Sequence, residues 1–467
     1  MSGRKVATFV AVSVACAASA AYLITSVRPA RATPNQTSVH PAAVPAWSAR
    51  RVPALLVQDV EQARRARAAE ALTSRLHGIV APVDACVAVD GPTGALARIH
   101  ADTALAPAST MKLLTGTTAI DVLGPQARFR TRVVSDGSGN VFLVGGGDPL
   151  LATPAFIAGA PDRPLDHGTP FTPLSALADA IVRAGVRHVR GALVVDDHLH
   201  DTLRFLPVWK PIYGQEGDIG SLGALTVDRG FSDPATNTLA ADPAVTTGLA
   251  LTDLLAQRGV TVTGGVRRGR APATAREIAH VDSSPLAAIV GEMLTNSDNY
   301  VAEELVRDIA AAHDDHVPAT TAAGTALVTG EMRRLHISTA GLVMRDGSGL
   351  SHDDRVSCAT MLGLIELASE PRFAAVNAGL AIAARTGTLE NRFIGDSLAG
   401  RLRAKTGSIS GVVGLVGIVD GSDPLHFAFL ANGGFSSAAG AQLQSEVAQA
   451  VASTPDVRVP SHLVPPP

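Results

Sequence analysis

The chain changes character twice, and those two switches constrain its fold more than any other feature. Helix and strand patterns fill the stretch up to about residue 127 and return after about Glu277. Between them, 128–276 runs as short strands such as Arg130–Val134, Val141–Val144 and Gly191–Val195. Gly- and Pro-rich loops separate them, with one candidate helix at Leu174–Ala184. Repeats are not evident, and 467 residues exceed one ordinary core. The pattern predicts one α/β (α+β) domain, discontinuous over 56–127 and 277–455, interrupted by an inserted, mainly β domain over 128–276. In the outer parts a helix is expected over Leu56–Leu76, then strands Ala85–Val89 and Ala95–Ile99 about a Gly91–Gly94 turn. A further helix starts at Pro107-Ala108-Ser109 and is stopped by Gly124-Pro125. Helices Leu286–Leu294, Val301–Ala312 and Ala322–Leu335 follow, then strands Leu402–Lys405, Val412–Val419 and His426–Leu430, and a helix Ala438–Ala452. The Pro-rich tail, 456–467, reads as disordered.

At 46% hydrophobic and 17% charged, with a net charge of −3, the chain is neither wholly disordered nor a dedicated nucleic-acid binder. Aromatics are only 4%, so the core must be built mainly from Ala, Val, Leu and Ile. Val6–Val27 is uncharged and mostly apolar, and as a helix would be about 33 Å long. It reads as an uncleaved signal anchor or as a signal peptide cleaved at Ala30-Arg31-Ala32. A lipoprotein signal at Cys16 fits poorly, because apolar sequence continues beyond it. Residues 28–55, with five prolines, read as a stiff spacer. Either reading exports the bulk of the chain, to the outer face of the membrane, periplasm or cell wall. Cys86 and Cys358 are then candidate disulfide partners or two buried thiols.

Lysine is scarce: Lys5, Lys112, Lys210 and Lys405 are the only four among 39 basic residues. Arg cannot lose its proton in a protein and Lys can, so the retained lysines are suspects for proton chemistry. Two of them sit in motifs. In Ser109-Thr110-Met111-Lys112, a spacing of three at a helix start puts the hydroxyl and the amine on one face. A neutral Lys112 could take the proton of Ser109, and free N–H groups at the helix start would face developing negative charge. In Ser297-Asp298-Asn299, the Ser can pass a proton to a leaving group, and the Asn amide can hold a substrate carbonyl and orient Lys112. In Lys405-Thr406-Gly407, ahead of an apolar strand, Lys405 adds positive charge near Lys112 and Gly407 lets a substrate backbone approach. The plain alternative is a capping serine, a surface lysine and a turn glycine. For all three motifs to arise by chance in this composition is roughly a 0.004 event.

These motifs are the signature of penicillin-binding proteins and serine β-lactamases. With Pro107–Thr115, Gly145-Gly146-Gly147-Asp148-Pro149, Asp346–Ser351 and Ala404–Ser408, the chain resembles the D-alanyl-D-alanine carboxypeptidase/endopeptidase family. These are the low-molecular-mass class C penicillin-binding proteins. The resemblance spans about Leu76 to Ala452. It also accounts for the 188-residue step from Ser109 to Ser297, since that family carries a large insertion there. It implies a serine β-lactamase/DD-peptidase-like fold, with antiparallel sheet and helices, acting on peptidoglycan stem peptides and inhibited by β-lactams. Ser109 is then the acyl-enzyme nucleophile, Lys112 its base, and Ser297 and Asn299 the proton and positioning network. Lys405 and Thr406 would bind the terminal carboxylate, with the oxyanion on the N–H groups of Ser109 and Ser408. Asp148 would approach the free amino end of the stem-peptide side chain. The position after Ser351, often Arg in the family, is His352 here. The proposed chemistry calls for no metal or cofactor.

Two rivals remain in view. A class A β-lactamase shares the Ser-Asp-Asn but deacylates with a Glu in an ExxLN loop, and no such motif lies between Asn299 and Lys405. A non-catalytic peptidoglycan-binding or β-lactam-sensing module would not need both Ser109 and Lys112. Lesser motifs read as structural. Arg385-Thr386-Gly387-Thr388 imitates the third motif but starts with Arg and has no apolar strand directly after it. Gly145–Gly147 lacks the Lys-Ser/Thr of a phosphate loop, His313–His316 reads as a solvated loop, and Arg64, Arg65 and Arg67 as an exposed helix face.

Overall fold

The last three strands and the first build the larger of the two main sheets in the computed structural model, which describes residues 53–160, 168–313 and 318–455. The Val6–Val27 span, most of the Pro-rich spacer and the 456–467 tail lie outside those residues. Among the described residues no helix is long and apolar enough to cross a membrane.

In chain order the main elements are α1 (Pro53–Val80), β1 (Asp84–Gly91), β2 (Gly94–Ile99) and α2 (Lys112–Leu123). The middle of the chain gives β3 (Arg130–Ser135), β4 (Val141–Val144), α3 (Leu174–Arg183), β5 (Leu193–Asp196), α4 (Pro243–Ala256), β6 (Val266–Arg268) and β7 (Arg276–Asp282). Then come α5 (Leu286–Thr295), α6 (Asn299–His313), α7 (Thr321–Arg334), α8 (Cys358–Leu367), β8 (Ala381–Ile382), β9 (Leu402–Ile409), β10 (Val412–Val419), β11 (Leu425–Asn432) and α9 (Ser437–Ala452).

The larger sheet has the order β8-β9-β10-β11-β1-β2, every neighbour antiparallel. Its two faces separate by residue parity. On β10, Val416 and Ile418 pack with Met111, Leu114, Met293 and Leu305. Val413, Leu415 and Val419 pack on the other side with Leu72, Leu76, Val447 and Val451 of α1 and α9. Covered on both faces, β10 is buried along its whole length, which is why it reads as a continuous apolar run. A disulfide ties β1 to α8, Cys86 to Cys358, with Cα atoms 5.8 Å apart.

The second sheet is mixed, in the order β6-β5-β4-β3-β7. β5 runs parallel to β4 and β6, while β3 is antiparallel to β4 and β7. Parallel neighbours need crossover connections, and α3 and α4 cover one face of this sheet. The segment therefore holds more helix than its strand pattern predicts. α4 is announced by Asp242, whose carboxylate caps Val245 N, with Pro243 in the first turn. β7, read from sequence as the opening of the returning α/β part, pairs with β3 and belongs to this sheet. Both sheets fall within one compact unit, Val60–Val459.

Candidate active site

Ser109 lies in a 3-10 turn, Ala108–Met111, that runs directly into α2. Ala108 enters it with φ +47°, a left-handed conformation costly for a residue with a Cβ and common where a site holds a side chain in place. One turn on, Lys112 is fully buried. Its Nζ lies 2.8 Å from Ser109 Oγ, 2.7 Å from Asn299 Oδ1 and 2.8 Å from the carbonyl oxygen of Ser348. All three partners are uncharged. Burial brings the ammonium down to about 8, and the charges of Asp346, Glu303, Asp298 and Asp218 oppose that fall.

Asn299 opens α6, and Asp298 caps it through Val301 N at 3.1 Å. Ser297, just before, has φ +63°. The second sheet's segment grips this turn at two points. Arg229 Nη2 lies 2.5 Å from Asp298 Oδ2 and 3.1 Å from Glu292 Oε1. Asn299 Nδ2 donates to the carbonyl of Asp218 at 2.8 Å. The third motif arrives on β9. Lys405 is fully buried, donates to the carbonyl of Thr406 at 2.9 Å, and is held well below the usual lysine range by burial and then by the charge of Lys112. A Cβ on Gly407 would lie 2.6 Å from the carbonyl of Pro107, so only glycine lets β9 lie this close to the serine turn. β8 pairs with β9 only at Arg403 and Ala404, and the pairing stops before Lys405.

A cleft of about 790 Å³ adjoins the Ser297–Asn299 turn and runs toward the second sheet, between Phe156, Phe171 and Arg229 on one side and Asp218 on another. It takes in Ser297 and Asn299 but not Ser109 or β9, so it extends the catalytic group on one flank only.

The profile of the D-Ala-D-Ala carboxypeptidase 3 (S13) family matches residues 83–241 and 233–454. The chain belongs to that family. It is 35% identical over 346 residues to a carboxypeptidase of Mycobacterium tuberculosis, covering 71% of this chain and 72% of that one. Identity to carboxypeptidase DacB of Mycolicibacterium smegmatis is 32% over 360 residues, covering 73% and 75%. Penicillin binding protein 4 (dacB) of Haemophilus influenzae, 21% identical, superposes with a TM-score of 0.68 over 80% of this chain and 98% of its own, and shares the fold. The chain is thus a serine-type D-Ala-D-Ala carboxypeptidase, a hydrolase of the penicillin-binding class.

Within this S13 enzyme Ser109, Lys112 and Asn299 meet directly, and Gly407 brings β9 against the serine turn. Ser408 is exposed on β9, and Thr406 donates its hydroxyl to Thr388 Oγ1 at 2.8 Å. The Arg385–Thr388 imitation of the motif therefore packs against the real one. Asp148 is not among these groups. Its side chain is buried, accepts from Leu150 N at 3.0 Å, and sits beside Thr172 and Asp308. Burial raises it to about 6, which the Thr172 and Leu150 hydrogen bonds partly oppose. It is not part of the cleft lining. The glycines before it are explained by the same packing: a Cβ on Gly147, at φ +78°, would lie 2.0 Å from Asp308 Oδ1. His352 faces Lys210, with Nζ to Nε2 at 3.0 Å. Sequence reasoning gave Ser348 no role of its own within Asp346–Ser351, and it missed Asp218 and Arg229. Ser348 and Asp218 act through backbone carbonyls, which no side-chain motif reports. Arg229 gives only the weak sign of standing in an Asp-Arg-Gly turn.

Proposed function

We propose that the family reaction runs here through an acyl-enzyme on Ser109. Neutral Lys112 takes the Ser109 proton as Oγ attacks the carbonyl of the penultimate D-Ala. The oxyanion is received by the N–H groups of Ser109 and Ser408. Ser297 passes a proton to the departing D-Ala, and water then hydrolyses the ester. Lys405 and Thr406 receive the terminal carboxylate. A carboxylate arriving beside a lysine held so low favours its charged form, so binding takes up a proton. The observation that carries this reading is the 2.8 Å contact between a buried amine, lowered to about 8, and the Ser109 hydroxyl.

Cleavage of cross-links is the same chemistry with another leaving amine, and the cleft beside Ser297 supports room for a longer peptide. Lys210 beside His352 offers a cation where the family often has Arg, and so bears on side-chain preference. The family works outside the cytoplasm on the cell wall. Val6–Val27 would hold the enzyme at the membrane or direct its export. The test is D-Ala release from a peptide ending in D-Ala-D-Ala: the wild type releases it and Ser109→Ala does not. Release by a folded Ser109→Ala protein would overturn the assignment.

A further inference from the structure

A neutral amine has two N–H groups and one lone pair. Around Lys112 Nζ, Asn299 Oδ1 at 2.7 Å and the Ser348 carbonyl at 2.8 Å can only accept. Each takes one N–H, and the remaining direction faces Ser109 Oγ. The two acceptors therefore aim the lone pair. Asn299 is a motif side chain on a helix. Ser348 contributes a backbone oxygen from an irregular turn, and its position has to be imposed by something else.

Glu303 imposes it. It lies on α6 four residues after Asn299, on the same face and fully buried. Its Oε1 accepts from Gly347 N at 3.0 Å and from Ser348 N at 2.7 Å. The turn rests directly on the helix, since a Cβ on Gly347 would lie 2.4 Å from a Val306 methyl and 2.7 Å from the Ala302 carbonyl. From the side of α2, Thr115 Oγ1 donates to the Gly347 carbonyl at 2.8 Å. We propose that Glu303 is a positioning residue for the general base: it fixes the Ser348 carbonyl so that one face of α6 sets both acceptors on Lys112 and turns its lone pair toward Ser109. This rests on Lys112 being the base.

Burial, then the charge of Asp346, raises Glu303 to about 8, against the Ser348 hydrogen bonds and Arg307. Glutamine copies both its shape and its accepting oxygen. Aspartate keeps the carboxyl but falls one methylene short of the turn.

The experiment is the acylation rate constant with a labelled penicillin between pH 6 and 10, per folded molecule, for Glu303→Gln, Glu303→Asp, Glu303→Leu and Lys112→Ala. Glu303→Gln stays within about threefold of wild type, while the Asp and Leu variants slow by about tenfold or more. Their rise of rate with pH moves to lower pH, because the ammonium has lost a held acceptor. A variant damaged only in stability would lose active molecules without moving that limb. If Glu303→Leu does not fold, Asp against Gln still decides. Glu303→Asp at the wild-type rate and limb, with Lys112→Ala inactive, would overturn the proposal alone. Glu303→Gln as slow as Glu303→Asp would overturn it by showing that the charge and not the accepting oxygen matters. Lys112→Ala at the wild-type rate would overturn the base itself, and the proposal with it.

Discussion

The three groups in hydrogen-bond contact with Lys112 are all uncharged, and burial outweighs the carboxylates around the site that favour its charged form. With the amine lowered to about 8, the neutral form falls about tenfold for each pH unit below that value. The acylation rate constant should climb with pH up to about 8 and level off above it, measured with penicillin in overlapping buffers. A rate flat from pH 6 to 9 would contradict the assignment. Lys112→Arg, which cannot give up its proton, should lose about 100-fold or more in the same assay. The pair was legible because a helix fixes the spacing of three between Ser109 and Lys112. Asn299 was legible through its motif. Glu303 was not, because nothing in the sequence ties residue 303 to a turn at 347–348. Asp148 was picked out by its motif, and its Oδ1 accepts from Leu150 N in the turn that follows.

At the next scale, α6 carries the most information. One face sets the base, and another buries a charged cluster against the segment after β5. His200 is fully buried, with Nε2 2.9 Å from Asp308 Oδ1 and Nδ1 2.9 Å from Glu304 Oε2. Burial works to lower His200, but the hydrogen bonds and charges of Asp308 and Glu304 outweigh it and raise the ring to about 9. Since the folded value lies above the unfolded 6.5, this stabilisation is complete below about pH 6.5 and is lost as pH rises through about 9. His200→Gln, which leaves two buried carboxyls without their cation, should cost about 3 kcal/mol, read by thermal unfolding at pH 6.5. The deficit should shrink toward pH 10, and a deficit independent of pH would contradict the charged ring. The Cys86–Cys358 bridge closes a loop of 272 residues, so Cys86→Ala should destabilise by about 2–5 kcal/mol under oxidising conditions. Strands such as β10 were readable because burial on both faces demands an unbroken apolar run. α4 was not, because it is short-looped into a segment whose strands dominate the pattern.

Over the whole molecule, the second sheet's segment reaches into the candidate site. It supplies the Asp218 carbonyl to Asn299, Arg229 to Asp298, and Trp209, whose Nε1 donates to Asp346 Oδ2 at 2.8 Å at the foot of the 346–351 turn. Arg229→Met should therefore slow acylation by about tenfold while Ser109 and β9 are untouched, measured with the same penicillin. An unchanged rate would mean that the segment only covers the site. The sequence marked a change of character at about 128 and 277, but nothing in it showed that the segment between reaches into the Ser297–Asn299 turn. Those contacts run through a backbone carbonyl and a salt bridge between distant positions. The proposed reaction turns on one covalent event. The direct measurement is to incubate the protein with labelled penicillin and map the adduct by peptide mass, beside Ser109→Ala. The structure predicts a single adduct on the peptide containing Ser109, absent from the variant. An adduct on another residue, or one that survives in folded Ser109→Ala, would contradict it.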